Sequence, residues 1–274
     1  MPRTRFPLLQ RGARILLGAI DSYRPRRAGR KHPFDAELII SLTSYPPRYR
    51  TLGRTLRCLL RQSVAADRII LWVTEKERAL LPRRVLKLTS KGLTIRNCPQ
   101  WRSLKKIAPA LINYPGAYIV TADDDLHYSG DWLEQLIKAF DGRIVARAAR
   151  NPLWCDDHYL PVPSWPVEGP DGQLYCLSGA GVLYPPGSLH PDVIDYDRFA
   201  RLTPTCDDIW LAWQAARAGS NSNRAGPPMP LVSWERTTAN SLSHINYGAD
   251  FEGSGHDQLV ANLVREYGPL HCLK

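Results

Sequence analysis

Between residues 37 and 122 of this chain, short apolar runs alternate with segments of helical periodicity. Apolar runs rich in β-forming residues predict four strands, over Glu37–Thr43, Asp67–Val73, Leu93–Arg96 and 116–122. After the first run, one apolar helical face recurs at the i, i+3, i+4 spacing, made by Leu52, Thr55, Leu56, Leu59 and Leu60. A second helix is predicted over Ala79 to Leu88, after Pro82, and Gly92 ends it. This alternation predicts an α/β fold with a mostly parallel central sheet flanked by helices.

The fourth apolar run ends in three carboxylates, Asp123, Asp124 and Asp125. Ligands of open α/β sheets bind just outside the carboxyl ends of the strands. Asp123 and Asp125 are two residues apart, so they share a face if the strand continues, and they repel each other unless a cation lies between them. Mg²⁺ and Mn²⁺ prefer oxygen ligands and take one or two carboxylates plus substrate phosphates. Two interpretations stand here: a metal–diphosphate site, or a solvated acidic turn that caps the next helix.

The net charge of +10 is concentrated in the first residues. Residues 1–31 hold nine Lys and Arg against one Asp, a net charge of +8, so the rest of the chain carries only +2. We therefore expect a basic arm over residues 1–36, a nearly neutral body and no nucleic-acid partner. The apolar run Ile15–Ile20 is too short to span a membrane. The arm is either an anchor on an anionic membrane surface or a solvated segment.

Six cysteines are scattered along the chain without a C-x-x-C pair. This pattern, with no export signal, predicts reduced thiols in a cytoplasmic protein. If the arm binds lipid, we expect the protein to lie peripherally on the inner face of the cytoplasmic membrane.

The segment Trp101–Ile112 carries two adjacent lysines. If the segment is helical, Lys105 lies at the border of its apolar face and Lys106 lies opposite that face. Lys105 is then the better placed of the two to reach a phosphate, and a solvated lysine is the alternative. Pro109 argues against a regular helix here.

The second half of the chain begins with a helix predicted over Asp131–Phe140, capped by Asp131, and a strand over Arg143–Arg147. Residues 150–177 are irregular. Their aromatic rings either pack on sugar faces or fill the core; they are Trp154, Tyr159, Trp165 and Tyr175. Further along, Gly179 and Gly181 allow the backbone to approach a ligand or a neighbouring strand closely.

A helix is predicted over Pro204–Gly219, with Asp207 and Asp208 in its first turn. The two acids either cap the helix or act as acid–base groups. The helix dipole would lower the pKa of an acid at this end, so a base here would act by position rather than by basicity. Near the end of the chain, His244 and His256 each remain open as a metal ligand or as an ordinary surface or core histidine. His256 precedes a helix predicted over Asp257–Val264.

Five motifs in this order resemble glycosyltransferases of the GT-A fold. In this sequence they are Ser41–Arg48, Ala122–Asp125 with its DxD pattern, Gly181–Pro186, Asp207–Trp210 and His256–Leu259. The resemblance runs from Leu38 to about Leu263 and is to short bacterial, family 2-like enzymes that build cell-surface polysaccharide.

The resemblance implies a role for each matching residue. Asp123 would contact the donor ribose or metal-bound water, Asp125 would ligate Mn²⁺ or Mg²⁺, and His256 stands where some members place a metal-binding histidine. Asp208, or Asp207 in its place, would be the general base. The residues expected to contact the nucleotide-sugar donor are Thr43, Ser44, Arg48, Lys105, Asp123, Asp124, Gly179 and Gly181.

The activity that the resemblance implies is metal-dependent, inverting transfer of a sugar from a nucleotide donor, expected to be UDP-linked, to a cell-surface glycan or a lipid-linked acceptor. It implies one catalytic domain over residues 37–268, with a nucleotide-binding half at 37–125 and an acceptor half at 126–268. A sugar nucleotidyltransferase is the alternative enzyme. It requires a glycine-rich basic loop after the first strand, where this chain has Thr43–Pro47. A non-catalytic carbohydrate-binding protein is the remaining alternative.

Overall fold

The computed structural model describes residues 29–227, 232–234 and 255–273. Most of the predicted basic arm, residues 1–28, and His244 therefore lie outside the described residues. None of the helices in the described ranges is long and apolar enough to cross a membrane. All six cysteines lie within the described ranges, and each is a free thiol.

The centre of the molecule is a seven-stranded sheet. Its strands are β1 Leu38–Thr43, β2 Arg68–Val73, β3 Leu93–Asn97, β4 Tyr118–Ala122, β5 Ile144–Ala146, β6 Val182–Tyr184 and β7 Ser222–Arg224. They are ordered β3-β2-β1-β4-β6-β5-β7. Every neighbouring pair is parallel except those made by β6, which runs antiparallel to both β4 and β5. The predicted α/β class with a mostly parallel central sheet is confirmed.

Helices cover both faces of this sheet. They are α1 Tyr49–Leu59, α2 Glu75–Ala79, α3 Arg83–Leu86, α4 Ala108–Asn113, α5 Trp132–Lys138, α6 Tyr196–Leu202, α7 Asp207–Arg217 and α8 Gly255–Tyr267. Successive strand side chains point to opposite faces, so Ile39 and Leu38 on β1 enter two separate buried clusters. α7 and α8 pack on the Ile39 side, and α1, α3 and α5 pack on the Leu38 side.

The helix predicted over Ala79–Leu88 is wrong in its extent. The structure has two short helices there, α2 and α3, separated by Leu80–Pro82. A capping box starts α2: Thr74 accepts from the Glu77 backbone N–H, and the Glu77 carboxylate accepts from the Thr74 N–H. Pro82 has no backbone N–H to donate and begins a separate turn, so the chain cannot run through it as one helix.

Residues 147–181 leave the sheet after β5 and return to it at β6. Two pairs of two-residue strands shape this segment, Ala149–Arg150 with Tyr175–Cys176 and Trp154–Cys155 with His158–Tyr159. Trp165 and Tyr175 are buried and pack edge to face in the core. These two aromatic rings fill the core, whereas Trp154 and Tyr159 remain partly exposed.

Candidate active site

The tip of β4 carries the three aspartates to the carboxyl edge of the sheet. β4 lies beside β1 with Ala122 opposite Leu42, so Asp123 to Asp125 follow directly at the sheet's carboxyl edge. Asp124 and Asp125 are 6% and 8% exposed, whereas the Asp123 side chain is 37% exposed. Asp123 is therefore the member of the three that solvent or a ligand reaches most easily.

Arg48, the residue directly before α1, binds two of these carboxylates. Its Nη1 lies 2.5 Å from Asp125 Oδ2 and 3.1 Å from Asp124 Oδ1, and Ser44 Oγ donates to Asp124 Oδ2. Burial raises the pKa of Asp124 to about 7, against the opposing charge of Arg48. Burial and the charge of Asp123 likewise raise the pKa of Asp125. The Thr43 side chain binds the neighbouring strand, since its Oγ1 donates to the Trp72 carbonyl at 2.8 Å.

Lys106 joins the tip of β4 to the start of α7. This buried lysine places Nζ 2.6 Å from Asp123 Oδ1, 3.1 Å from Asp207 Oδ2 and 2.8 Å from Ser178 Oγ. Burial alone would lower the pKa of Lys106, but the charges of the surrounding aspartates raise it above its usual range. Lys106 therefore stays charged and draws the two acidic segments together.

The prediction that Lys106 lies opposite the packed face, with Lys105 nearer a ligand, is wrong in its geometry. Both lysines are buried, and Lys105 Nζ binds both carboxylate oxygens of Glu77, at 2.7 and 2.8 Å. Residues Arg102–Lys106 form a 3₁₀ turn, in which three residues, not 3.6, complete a turn. The helical wheel behind the prediction therefore assigned the two side chains to the wrong directions.

Ser178 lies between the two acids at the start of α7. Its backbone N–H donates to Asp208 Oδ1 at 2.9 Å, and its Oγ contacts Asp208 Oδ1 and lies 3.0 Å from Asp207 Oδ2. One hydroxyl proton serves only one of these carboxylates at a time.

The expected lowering of the Asp208 pKa by the helix dipole is wrong. Burial and the charge of Asp207 raise the pKa of Asp208 to about 7, against Lys106 and Ser178. Asp207 is buried, whereas Asp208 is partly exposed. Asp208 is thus the less buried of the two acids, and its pKa lies closer to neutrality than that of an ordinary aspartate.

The two glycines pack against the site and against a helix. A Cβ at Gly179 would overlap the Asp123 carboxylate, so any larger residue there would force that carboxylate to shift. The Tyr128 hydroxyl accepts from the Asp123 N–H at 2.7 Å and donates to the Gly179 carbonyl at 2.5 Å. Gly181 has a φ of 114°, and a Cβ there would lie 2.5 Å from the Trp132 Nε1. Gly179 therefore abuts the candidate site, whereas Gly181 faces α5.

His256 is not brought together with the aspartates at β4. In the described ranges, no group of three or more His, Cys, Asp or Glu is placed to hold a metal ion. Burial lowers the pKa of His256 to about 4, so this histidine is neutral at physiological pH.

Among the residues that the structure describes, the carboxyl groups at this site outnumber the cations beside them. Lys106 and Arg48 serve five carboxyls, those of Asp123, Asp124, Asp125, Asp207 and Asp208. The raised pKa values of Asp124, Asp125 and Asp208 reflect burial together with this excess. Oxygen donors with unbalanced negative charge fit Mg²⁺ or Mn²⁺, provided that a bound diphosphate and water complete the coordination.

Several residues of the site were not found from the sequence. Lys106, Ser178 and Tyr128 bind the acidic groups directly, as described above. Thr55 Oγ1 lies 3.0 Å from the Asp124 carbonyl and accepts from Trp234 Nε1 at 2.8 Å, which fixes the backbone below the aspartates. Thr55, Lys106 and Ser178 are far from the aspartates in sequence, and Tyr128, three residues after Asp125, has no pattern that marks it. Ser178 directly precedes Gly179, and Lys106 directly follows Lys105, so these two adjoin residues that the sequence did single out.

No family model matches the chain, and no curated protein matches it significantly in sequence. Solved structures that it resembles include a mannosyltransferase from Pyrobaculum calidifontis in complex with GDP-Man and Mn²⁺, at 13% identity and a TM-score of 0.42. The match covers 80% of this chain and spans 64% of the length of that mannosyltransferase. Another is residues 1–349 of S. aureus TarS, at 12% identity and a TM-score of 0.45, over 84% of this chain and 72% of that one.

A third similar structure is 4-diphosphocytidyl-2C-methyl-D-erythritol synthase from Anaerococcus prevotii. Its identity is 12% and its TM-score 0.43, over 76% of this chain and 98% of that one. Because all three TM-scores lie below 0.5, these likenesses decide neither the activity of this chain nor its ligand.

Proposed function

We propose that the protein is a metal-dependent, inverting glycosyltransferase that moves a sugar from a nucleotide donor, UDP-linked by preference, to a cell-surface glycan or a lipid-linked acceptor. The observation that carries this proposal is the Lys106 bridge. It connects Asp123, at the strand tip where α/β proteins bind ligands, with the acids that begin α7. The residue proposed to bind the donor and the acids proposed to move the proton thus belong to one network of ion pairs.

At the donor end, Asp123 and Asp125 would hold the cation, with Asp124 beside them. The bound cation would neutralise charge that builds up on the leaving nucleotide diphosphate. Arg48 and Ser44 already contact this acidic group, so their side chains are within reach of a diphosphate placed there. Thr43, at the end of β1, borders the same edge of the sheet.

At the acceptor end, Asp208 would take the proton of the acceptor hydroxyl. The hydroxyl oxygen would then attack the anomeric carbon from the side opposite the leaving diphosphate, which inverts that carbon. A base works best with a pKa near the working pH, and the pKa of Asp208 is raised to about 7. The Ser178 N–H orients this carboxylate, and Asp207 binds Lys106 beside it.

Donor binding is tested by a thermal-shift screen of nucleotide sugars with and without Mn²⁺. We expect a UDP-sugar to raise the melting temperature only when Mn²⁺ is present, because a ligand that binds the folded state stabilises it. Asp125→Asn should abolish this shift, whereas Asp197→Asn, at an exposed carboxylate on α6, should preserve it. A full shift in the Asp125 variant would remove that residue from the metal site.

Turnover is tested with the Asp208→Asn variant. It should still show the donor-dependent thermal shift but transfer sugar about 100-fold more slowly or worse, in the range for loss of a general base. Full activity would reassign the base, with Asp207 as the next candidate. Pyrophosphate release from a nucleoside triphosphate and a sugar 1-phosphate, without transfer from any nucleotide sugar, would identify a nucleotidyltransferase instead.

A further inference from the structure

Outside the basic arm, the positive and negative charges nearly cancel in total but lie in different parts of the sequence. Residues 44–122 contain 16 Lys and Arg against three Asp and Glu, a net charge of +13. Residues 123–274 contain 11 against 20, a net charge of −9. The ranges 44–66 and 78–122 contain no acidic residue at all. The positive charge therefore belongs to the helices and turns around β1, β2 and β3.

Six of these cations form one exposed surface on α1 and α3, which we call the basic face. Its members are Arg50, Arg54, Arg57, Arg83, Arg84 and Lys87. The first three recur at i, i+4 and i+7, so they line the solvent side of α1. Arg84 Nη2 donates to the carbonyls of Tyr49 and Arg50, at 3.1 and 3.2 Å, which joins α3 to α1. The basic face is therefore continuous across the two helices.

Apolar side chains interrupt the basic face. Leu86 is 42% exposed and lies between Arg83 and Lys87 on the same side of α3. Leu80, in the turn that leads to α3, is 63% exposed. A surface that mixes cations with exposed aliphatic side chains matches the boundary between lipid headgroups and acyl chains.

Residues 29–31 lie next to the C-terminal end of α1. The described chain begins at Gly29, and the Arg30 N–H donates to the Ser63 carbonyl at 2.9 Å, just past the end of α1. Arg30–Lys31 then pairs with Val64–Ala65. Gly29, which follows the basic residues 1–28 in the sequence, therefore lies near the C-terminal end of the helix that bears Arg50, Arg54 and Arg57.

We propose that the basic face binds the surface of an anionic lipid bilayer. Its charge is complementary to anionic headgroups, and Leu80 and Leu86 supply aliphatic groups that insert among them. Proteins that bind single-stranded nucleic acid stack bases on aromatic rings, and the exposed apolar residues of this surface are leucines. The chemistry therefore favours lipid over nucleic acid.

Bilayer binding would bring the candidate active site close to the membrane. Arg50 is two residues from Arg48, which binds Asp124 and Asp125. The Arg54 guanidinium lies 5.6 Å from the ring centroid of Trp234, whose backbone N–H donates to the Asp125 carbonyl. If the proposed transferase activity holds, an acceptor carried on a lipid would thus lie beside the site. Binding itself requires no turnover.

The test measures sedimentation of the full chain with vesicles of phosphatidylcholine alone, or with phosphatidylglycerol added. The test variant carries Arg50→Gln, Arg83→Gln and Lys87→Gln. The matched control removes three exposed cations elsewhere, on α5, α6 and α8, with Lys138→Gln, Arg201→Gln and Arg265→Gln. Each basic residue near an anionic surface contributes about 1 kcal/mol, or about five-fold in affinity. We therefore expect about 100-fold weaker binding in the test variant and less than two-fold weaker binding in the control.

A third variant, Leu80→Ser with Leu86→Ser, separates lipid from other anions. It should lose the vesicle binding that survives at high salt, while its salt-sensitive binding remains. Equal losses in the test and control triples, or no loss in either, would overturn the proposal. So would tighter binding to duplex DNA or single-stranded RNA than to anionic vesicles.

Thermal melting of every variant checks folding. Sugar transfer to a soluble acceptor should be unchanged in the test triple, which separates membrane binding from catalysis.

Discussion

Lys106 and Lys105 are neighbours in sequence with different electrostatic surroundings. Lys105 satisfies one carboxylate, that of Glu77, in a buried pair. Lys106 faces Asp123 and Asp207 directly, and the charge of Asp208 also acts on it. One cation among several acids compensates only part of their charge, so removing it leaves buried carboxylates with little to offset their repulsion.

Substitution of Lys106 should therefore show a larger pH dependence than substitution of Lys105. We expect Lys106→Met to lose about 3–5 kcal/mol of unfolding free energy at pH 8, the range for breaking a buried ion pair. The loss should shrink at pH 5.5. The pKa of Asp208 is about 7, so this carboxyl is ionised and repelled at pH 8 but neutral at pH 5.5.

Urea unfolding of both variants at the two pH values measures this difference. Burial raises the pKa of Glu77, but the opposing bonds from Lys105 and Thr74 leave it below its usual range. In Lys105→Met, Glu77 loses the bonds from Lys105 that lower its pKa but keeps those from Thr74, so the loss should change less between the two pH values than in Lys106→Met. Identical pH behaviour in the two variants would contradict the charge assignment.

Asp208 should set the acid limb of the activity profile. A general base must be ionised, so kcat/KM should rise with pH, with a midpoint near pH 7, and level off above it. Asp207→Asn removes a negative charge that raises the pKa of Asp208, so the residual activity of this variant should have its midpoint at lower pH. If the midpoint of the pH profile does not shift in Asp207→Asn, a group other than Asp208 sets the acid limb.

At the level of elements, the turn Ser178–Ala180 sets how close the tip of β4 comes to α7. Thr121 Oγ1 donates to the Ser178 carbonyl at 2.9 Å, and Tyr128 links Asp123 to Gly179. The turn is thus bonded to the strand that carries the aspartates and, through Ser178, to the acids of α7.

A methyl group added at Gly179 should displace the Asp123 carboxylate. We expect Gly179→Ala to abolish the Mn²⁺-dependent thermal shift with a UDP-sugar while the protein stays folded. Gly181→Ala is the matched control: its positive φ and its contact with Trp132 predict a stability loss of about 1–3 kcal/mol. Its donor-dependent shift should remain. If only Gly181→Ala loses the donor-dependent thermal shift, the turn affects donor binding through its contact with α5 rather than through Asp123.

The elements themselves were largely predictable from sequence. Periodicity placed β1, β2, β3, β4, α5 and α7 within a few residues, because buried strands and helices repeat their apolar residues at a fixed spacing. It failed at Trp101–Ile112, where the 3₁₀ turn gives way to α4 at Ile107 and the side-chain directions change. The partners of the aspartates were also beyond prediction, since Thr55 and Trp234 meet across 179 residues and only the folded sheet brings them together.

Considered as a whole, the molecule is organised by one sheet that crosses both proposed halves. β4 pairs with β1 of the nucleotide-binding half and with β6 of the acceptor half. One buried cluster joins Ile39 and Ile70 to Phe199 and Trp210, and the other joins Leu42 to Val145 and Leu183. Neither half has a core of its own.

The two halves should therefore unfold together. We expect one denaturant transition, with coincident midpoints by tryptophan fluorescence and far-ultraviolet circular dichroism. A fragment of residues 29–125 should remain unfolded, because its β4 would lack β6 and the apolar residues that cover it. Two separate transitions, or a folded fragment, would show that the halves are independent domains.

Because β6 is antiparallel to its neighbours, the chain between β5 and β6 contains a segment that can vary in length. β6 runs against β4 and β5, so Val182 lies opposite both Thr121 and Ala146, and the chain leaves and re-enters the sheet at a single edge. Residues 155–158, the exposed tip of this segment, can thus be lengthened without altering the register of the central sheet, because the buried Val162 and Trp165 and the bridge from Gly172 to Ser222 lie outside the tip. If the proposed transferase activity holds, loops inserted at this tip offer a route to new acceptors without changing the residues proposed to bind the donor.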